Sequence, residues 1–239
     1  MIPKVIHYCW FGNNPLPPLA EKCIASWKKY FPDYEIRQWN ETNFDFSVCD
    51  YAAEAYAAKK WAFVSDYARF KILHDHGGLY FDTDVEVIRD LSPILEQGAF
   101  MGCEDVGSCN PGLALGAAPQ MPFYKEMLDG YAQRHFLNPD GSYNLCTVVE
   151  YTTDLLKKHG YVGTDDPEQI ADITIYPKEY FCPMNPVDFE LIVTDNTYSI
   201  HHYAASWVSG SERFKNSIQR LIGPKLTKKI QQLKKRLKG

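Results

Sequence analysis

The stretch "GGLYFDTDVEV", residues 77–87, decides how this chain is to be read. Two glycines close one element, and an apolar run follows with two aspartates set one residue apart. Successive side chains of a strand alternate between its faces. Read as a single strand, Leu79, Phe81, Thr83, Val85 and Val87 share one face, and Tyr80, Asp82, Asp84 and Glu86 share the other. Three carboxylates then project from one side of a hydrophobic strand. Like charges at that spacing repel, and carboxylates removed from water are costly unless paired or metal-bound. Two carboxylates one residue apart at a strand end can hold a hard divalent cation, Mn²⁺ or Mg²⁺, when a diphosphate completes the shell. The alternative is a solvated edge strand, where most such tripeptides sit.

Working backwards, "AFVSDYARFKILHDHGG" predicts a helix, because Phe63, Tyr67, Phe70 and Leu73 follow the helical period and Gly77 suits its C-terminal stop. Asp66 and Arg69 lie on it at i,i+3, side by side. They form either an ordinary intrahelical ion pair or a carboxylate and guanidinium that fork onto vicinal sugar hydroxyls. Further upstream, "IPKVIHYCWFG" reads as a first strand and "LAEKCIASWKKY" as a helix through Leu19, Cys23, Ile24 and Trp27. Pro32 stops that helix, and "YEIRQWN" reads as a second strand. This alternation predicts a βαβ unit with parallel pairing. Trp10 falls beyond the first strand's carboxyl end, where open α/β sheets bind ligands. It is either a core residue or an indole that stacks on a nucleobase.

Working forwards, "VCDYAAEAYAAK", 122–135 and 145–159 read as helices. "AFMGCE", "GLALGA" and "LIVTDNTYSIHHY" read as strands. In the last of these His201 and His202 face opposite ways, so only one can join a given site. The sum is one α/β domain with a central mixed sheet flanked by helices, over residues 1–212, with a tail over 213–239.

No acidic residue follows Glu212, and ten of the 25 basic residues do, so residues 1–212 carry 15 basic residues against 30 acidic ones. An acidic body argues against nucleic acid as partner. The tail spaces Leu226, Ile230, Leu233 and Leu237 as an apolar stripe in a basic helix, either solvated or laid on an anionic membrane surface. No stretch of about 18 apolar residues and no signal-peptide layout is present. The seven cysteines are scattered singly, without a C-x-x-C pair. A disulfide framework and a thiolate zinc site are therefore not expected, and a cytoplasmic protein is. There is no Walker A loop, G-x-G-x-x-G or G-x-S-x-G.

Three segments in this order, "IPKVIHYCWFG", "WAFVSDYARFKILHDHGGLYFDTDVE" and "TYSIHHYAASW", resemble glycosyltransferase family 32. These are DXD-motif sugar transferases of bacterial capsule and oligosaccharide synthesis, distantly similar to the glucosyltransferase domains of clostridial toxins. The resemblance implies a GT-A type nucleotide-sugar-binding domain and a Mn²⁺ or Mg²⁺ requirement. It implies that Trp10 stacks on the base, with His7 and Tyr8 beside it. It implies that Asp66 and Arg69 hold donor-sugar hydroxyls, that Asp82 contacts ribose, sugar or metal-bound water, and that Asp84 is a direct metal ligand. His202 falls where relatives have a further metal ligand. Ser206 and Trp207 match residues that close over the diphosphate. The implied activity is retaining transfer of a hexose from a nucleotide-diphosphate sugar, UDP-sugars favoured, to a saccharide or lipid-linked saccharide. The rivals are a nucleotide-diphosphate-sugar hydrolase, for which cleavage is indifferent to added glycans, and a non-catalytic module that binds donor without turnover.

Overall fold

The computed structural model describes residues 1–204; Ser206, Trp207 and the basic tail lie outside the described residues. The chain opens with β1 (Val5–Cys9), α1 (Pro18–Tyr30) and β2 (Glu35–Trp39), then α2 (Asp50–Ala57), α3 (Trp61–His76), β3 (Gly78–Tyr80) and β4 (Val85–Val87). The second half holds α4 (Ser92–Leu95), β5 (Phe100–Asp105), β6 (Ser108–Cys109), β7 (Leu115–Ala117), α5 (Pro122–Tyr131) and α6 (Val148–Lys158). It ends with β8 (Glu168–Ile170), β9 (Ile173–Tyr176), α7 (Lys178–Phe181) and β10 (Ser199–His201).

The main sheet runs β2-β1-β3-β7-β5-β9-β8, with β6 paired to β5. The pairs β1–β2, β1–β3 and β5–β9 are parallel, while β7 is antiparallel to both β3 and β5. This is the mixed α/β sheet that the sequence predicts, including the parallel βαβ opening. Apolar side chains pack on both faces, as helix-covered sheets require. One core gathers Tyr80, Met101, Leu115 and Ile175 with α2, α3, α5 and α6. The other gathers Ile6, Leu79, Phe81 and Phe100 with α1.

Trp27 ties α1 to the second core. Its ring is fully buried, meets Tyr8 edge-on at 5.7 Å, and donates through Nε1 to the Val85 carbonyl at 2.8 Å. Trp27→Ala would cost about 3–5 kcal/mol through the lost contacts and the cavity.

The aspartate stretch departs from the single strand expected. β3 stops at Tyr80, and a turn closed by the Val85 N–H on the Asp82 carbonyl at 3.0 Å intervenes before β4. β4 leaves the main sheet and pairs antiparallel with β10. The second departure is "LIVTDNTYSIHHY", of which only Ser199–His201 is a strand. Thr194 and Thr197 close a turn around Asp195 and Asn196: the Thr197 N–H reaches the Thr194 carbonyl, and the Thr194 N–H reaches the Thr197 hydroxyl. Local side-chain bonding of this kind outcompetes the β preference of the preceding Ile192 and Val193.

Candidate functional site

The site is built at the carboxyl ends of β1 and β3. α3 brings the Asp66–Arg69 pair to it. That helix is buried on most sides, and it ends at Gly77, whose φ of 63° is open to glycine at little cost. A Cβ on Gly77 would lie 2.7 Å from Pro119, and one on Gly78 would lie 2.7 Å from Val5. The double glycine therefore lets α3 turn straight into β3.

Asp66 and Arg69 form a buried ion pair at 3.0 Å. The pair is not merely intrahelical, because Arg69 also reaches Asp82, with Nη1–Oδ2 and Nη2–Oδ1 each 3.4 Å. Its guanidinium lies over the Tyr80 ring, and the Tyr80 hydroxyl donates to Asp82 Oδ1 at 2.9 Å. Two carboxylates thus share one guanidinium. Burial pushes the Asp66 carboxyl up to about 7 against the pull of Arg69, and burial also raises Asp82.

Asp84 has a different neighbourhood. Its Oδ2 lies 3.4 Å from His201 Nε2 and accepts the Ala204 N–H at 2.8 Å. Burial pushes this carboxyl up, but the His201 imidazolium and these hydrogen bonds outweigh burial and hold it at about 2. His201 in turn is raised well above its ordinary value, because Asp84 overrides desolvation.

His202 is the histidine that the resemblance puts at the metal, and the structure turns it elsewhere. Its Nε2 meets Glu86 Oε2 at 2.8 Å, and Lys22 reaches the same oxygen at 2.7 Å. The reason is register. His201 pairs with Val85 and Ile200 with Glu86, so strand alternation would put Asp84 on the face of Glu86 and His202. The turn at 82–85 breaks that alternation and swings the Asp84 carboxylate to the His201 side.

His7 and Tyr8 also depart from their expected place beside the base, because their side chains lie inside the fold. His7 is fully buried: Nδ1 accepts the Trp39 indole N–H at 3.0 Å, and Nε2 donates to the Gly77 carbonyl at 3.0 Å. That pattern needs the neutral ring, and burial lowers its pKa to about 4. The Tyr8 hydroxyl donates to Gln38. Trp10, by contrast, is half-buried just past β1, with its indole N–H on the Asn14 carbonyl at 2.6 Å.

Sequence reasoning missed Gly112. A Cβ there would stand 2.1 Å from Asp82 Oδ2 and 3.0 Å from Arg69, and the Gly112 carbonyl accepts the Asp82 N–H at 3.0 Å. Asn110 builds that approach: its Oδ1 accepts the Gly112 N–H at 2.7 Å while its Nδ2 donates to Glu104 at 2.7 Å. The signal was the turn tripeptide Asn110-Pro111-Gly112.

The residues that could hold a cation are Asp84, with Asp82 and His201 close by. Carboxylate oxygen suits Mg²⁺ and Mn²⁺, and imidazole nitrogen is a common ligand of transition-metal ions. Among the described residues no three His, Cys, Asp or Glu side chains are already gathered as a cation cage. A ligand's own oxygens would have to complete the shell.

The family model described as "Glycosyltransferase sugar-binding region containing DXD motif" matches residues 17–101. Inositol phosphoceramide mannosyltransferase 3 of Schizosaccharomyces pombe (strain 972 / ATCC 24843) is 30% identical over 111 residues, 42% of this chain and 29% of that protein. The chain thus spans under a third of that relative's length. An uncharacterized glycosyltransferase of Acanthamoeba polyphaga mimivirus is 26% identical over 197 residues, 77% of this chain and 74% of that protein. Among solved structures, the PaToxG glycosyltransferase is similar over 66% of this chain and 68% of its own, with a TM-score of 0.49 and 17% identity. The residues that match this family model, 17–101, carry Asp66, Arg69, Asp82 and Asp84.

Proposed function

We propose that this protein is a metal-dependent, configuration-retaining hexosyltransferase of GT-A type. It moves a sugar from a nucleotide-diphosphate donor, with UDP-sugars favoured, to a hydroxyl of a saccharide or lipid-linked saccharide in surface polysaccharide synthesis. The observation that carries the reading is the convergence of Asp66, Arg69 and Asp82 at 3.0–3.4 Å beside Asp84, at the carboxyl end of β3.

In this reading Trp10 stacks on the base, and Asp66 and Arg69 present an acceptor and donors to the sugar hydroxyls. Positioning of this kind is itself a large rate term. Asp82, oriented by Tyr80, Arg69 and Gly112, contacts ribose or sugar. Asp84 holds the Mn²⁺ or Mg²⁺. The imidazole of His201, rather than that of His202, faces Asp84 and is the better second ligand. The cation, when bound, offsets the charge that gathers on the departing diphosphate. Retention without a protein nucleophile follows if the leaving phosphate takes the acceptor proton on the same face. An inverted product by NMR would overturn that part.

Residues 1–212 form the catalytic domain, Ser206 and Trp207 close over the diphosphate, and the basic segment 213–239 rests on an anionic membrane surface at its cytoplasmic side. Each basic residue near such lipids contributes on the order of 1 kcal/mol. Deleting residues 224–239 should abolish liposome co-sedimentation. Among the described residues no helix is long and apolar enough to cross a membrane.

The test of the donor site is calorimetric titration of UDP and GDP, each with Mn²⁺ and with EDTA, on the protein and on Asp84→Ala. Metal-dependent binding of one nucleotide, lost in the variant, is expected. No binding under any condition would remove the reading.

A further inference from the structure

An open cleft of about 670 Å³ lies between the β5–β6 hairpin and one face of α6, apart from the aspartate turn. Ser108 stands on the hairpin side, Leu145 on the segment leading into α6, and Val149, Thr153, Asp154 and Lys157 on the helix. The volume falls within the range of about 300–1,000 Å³ typical of sites for small organic ligands.

The lining has a specific chemistry. Asp154 and Lys157 are exposed and sit at i,i+3, so a carboxylate and an ammonium adjoin on one helical face. Neither side chain has a hydrogen-bond or ion-pair partner among the described residues. Beside them Leu145, 62% exposed, and half-buried Val149 supply apolar surface. A polyhydroxylated ring answers both halves: its hydroxyls bond to the carboxylate and the ammonium, and its C–H face lies on Leu145 and Val149. A purely apolar ligand would strand the two charges.

The cleft is also wired to the donor site. The Thr153 hydroxyl on its wall accepts the Cys109 N–H at 2.9 Å. Asn110, the next residue, starts the turn that lays Gly112 against Asp82. Four peptide units separate Ser108 from Gly112, and an extended chain of that length spans at most about 14 Å. An oligosaccharide seated in the cleft is long enough to bring a terminal hydroxyl towards the aspartate turn.

We propose that this cleft seats the acceptor oligosaccharide, recognised through Asp154 and Lys157. The assignment rests on the glycosyltransferase reading above. Its test is retention of the purified protein on an array of immobilised oligosaccharides of the common hexoses, with UDP and GDP titrations run on the same preparations. Two variants are compared. Asp154→Trp fills the hollow from an exposed position, and the double variant Asp154→Asn with Lys157→Gln removes the polar pair while keeping the shape.

The expected result is retention by the wild type that falls at least tenfold in both variants, with nucleotide binding unchanged. Loss in Asp154→Trp alone keeps the seat but overturns recognition through Asp154 and Lys157. Full retention in both variants overturns the assignment. So does a wild type that binds nucleotide and retains on no saccharide. A wild type that binds neither strikes the glycosyltransferase reading, and the cleft assignment falls with it.

Discussion

The aspartate turn and the α6 cleft treat charge in opposite ways. At the turn, Arg69 and Asp66 are withdrawn from water, and together with half-buried Asp82 they are answered by one another and by Tyr80. In the cleft, Asp154 and Lys157 stand in water with no such answer among the described residues. The first arrangement is costly to build, because each buried ion loses its hydration. It is correspondingly fixed in geometry before any ligand arrives. The second costs the fold almost nothing. The comparison teaches that preorganisation in this protein is concentrated at the aspartate turn and relaxed in the cleft.

Substitutions should separate the two regions by magnitude. Arg69→Met leaves the buried Asp66, and the half-buried Asp82, without their cation. Urea unfolding should show a loss of about 3–5 kcal/mol. A loss under about 1 kcal/mol, the range of an exposed pair, would mean that the cluster is as open as the cleft and the contrast would collapse.

Next in size is the acid response of His7, whose ring braces the Gly77 carbonyl behind the site. The folded ring is neutral with a pKa near 4, whereas the unfolded chain protonates it near 6.5. Between those values the unfolded state binds more protons. Stability therefore falls as pH drops from about 6.5 towards 4, by about 3 kcal/mol in full, and His7 adds no slope above that window. Chemical denaturation across the window should show the slope in the wild type and a flatter profile in His7→Gln.

Gly112→Ala drives a methyl group into Asp82 and Arg69. It should cost about 1–3 kcal/mol of stability and weaken nucleotide binding by about tenfold, or about 1.4 kcal/mol. Unchanged nucleotide affinity would separate the Asn110 turn from the donor site. Smallest of all, Asp154→Asn should leave urea stability within about 0.5 kcal/mol, as exposed positions generally do. A larger loss would show that the cleft carboxylate supports the fold and would erase the distinction.

Much of the scaffold was legible in the sequence because periodicity and breakers act locally. The helical spacing before Gly77 and the βαβ opening needed no tertiary information. The Asp66–Arg69 adjacency followed from helix geometry alone. What failed did so where one local pattern met a competing contact. Alternation through 77–87 held for Leu79 and Phe81, then yielded at Asp82 to a turn, and with it the histidine facing Asp84 changed from His202 to His201. The apolar run Leu191-Ile192-Val193 has strand composition, yet the threonine turn after it prevails and these side chains are exposed. His7 and Tyr8 lie on a strand buried on both faces, which a strand pattern cannot distinguish from a ligand-facing edge. Gly112 was unreadable because its constraint is a contact with Asp82, thirty residues earlier in the chain. The start of α6 was available in Thr147 and Glu150, a capping box at helical spacing.

The Asn110 turn has one more implication. A single stretch of backbone, from Ser108 in the cleft wall to Gly112 against Asp82, belongs to both regions. At its far end the Gly112 carbonyl accepts the Asp82 N–H, so the two regions share one run of backbone. If both proposed sites are filled, any linkage between them runs equally in both directions. If a sugar donor tightens the seat for its acceptor, the acceptor must tighten the donor by the same factor, and the five residues from Ser108 to Gly112 are the backbone that would carry it.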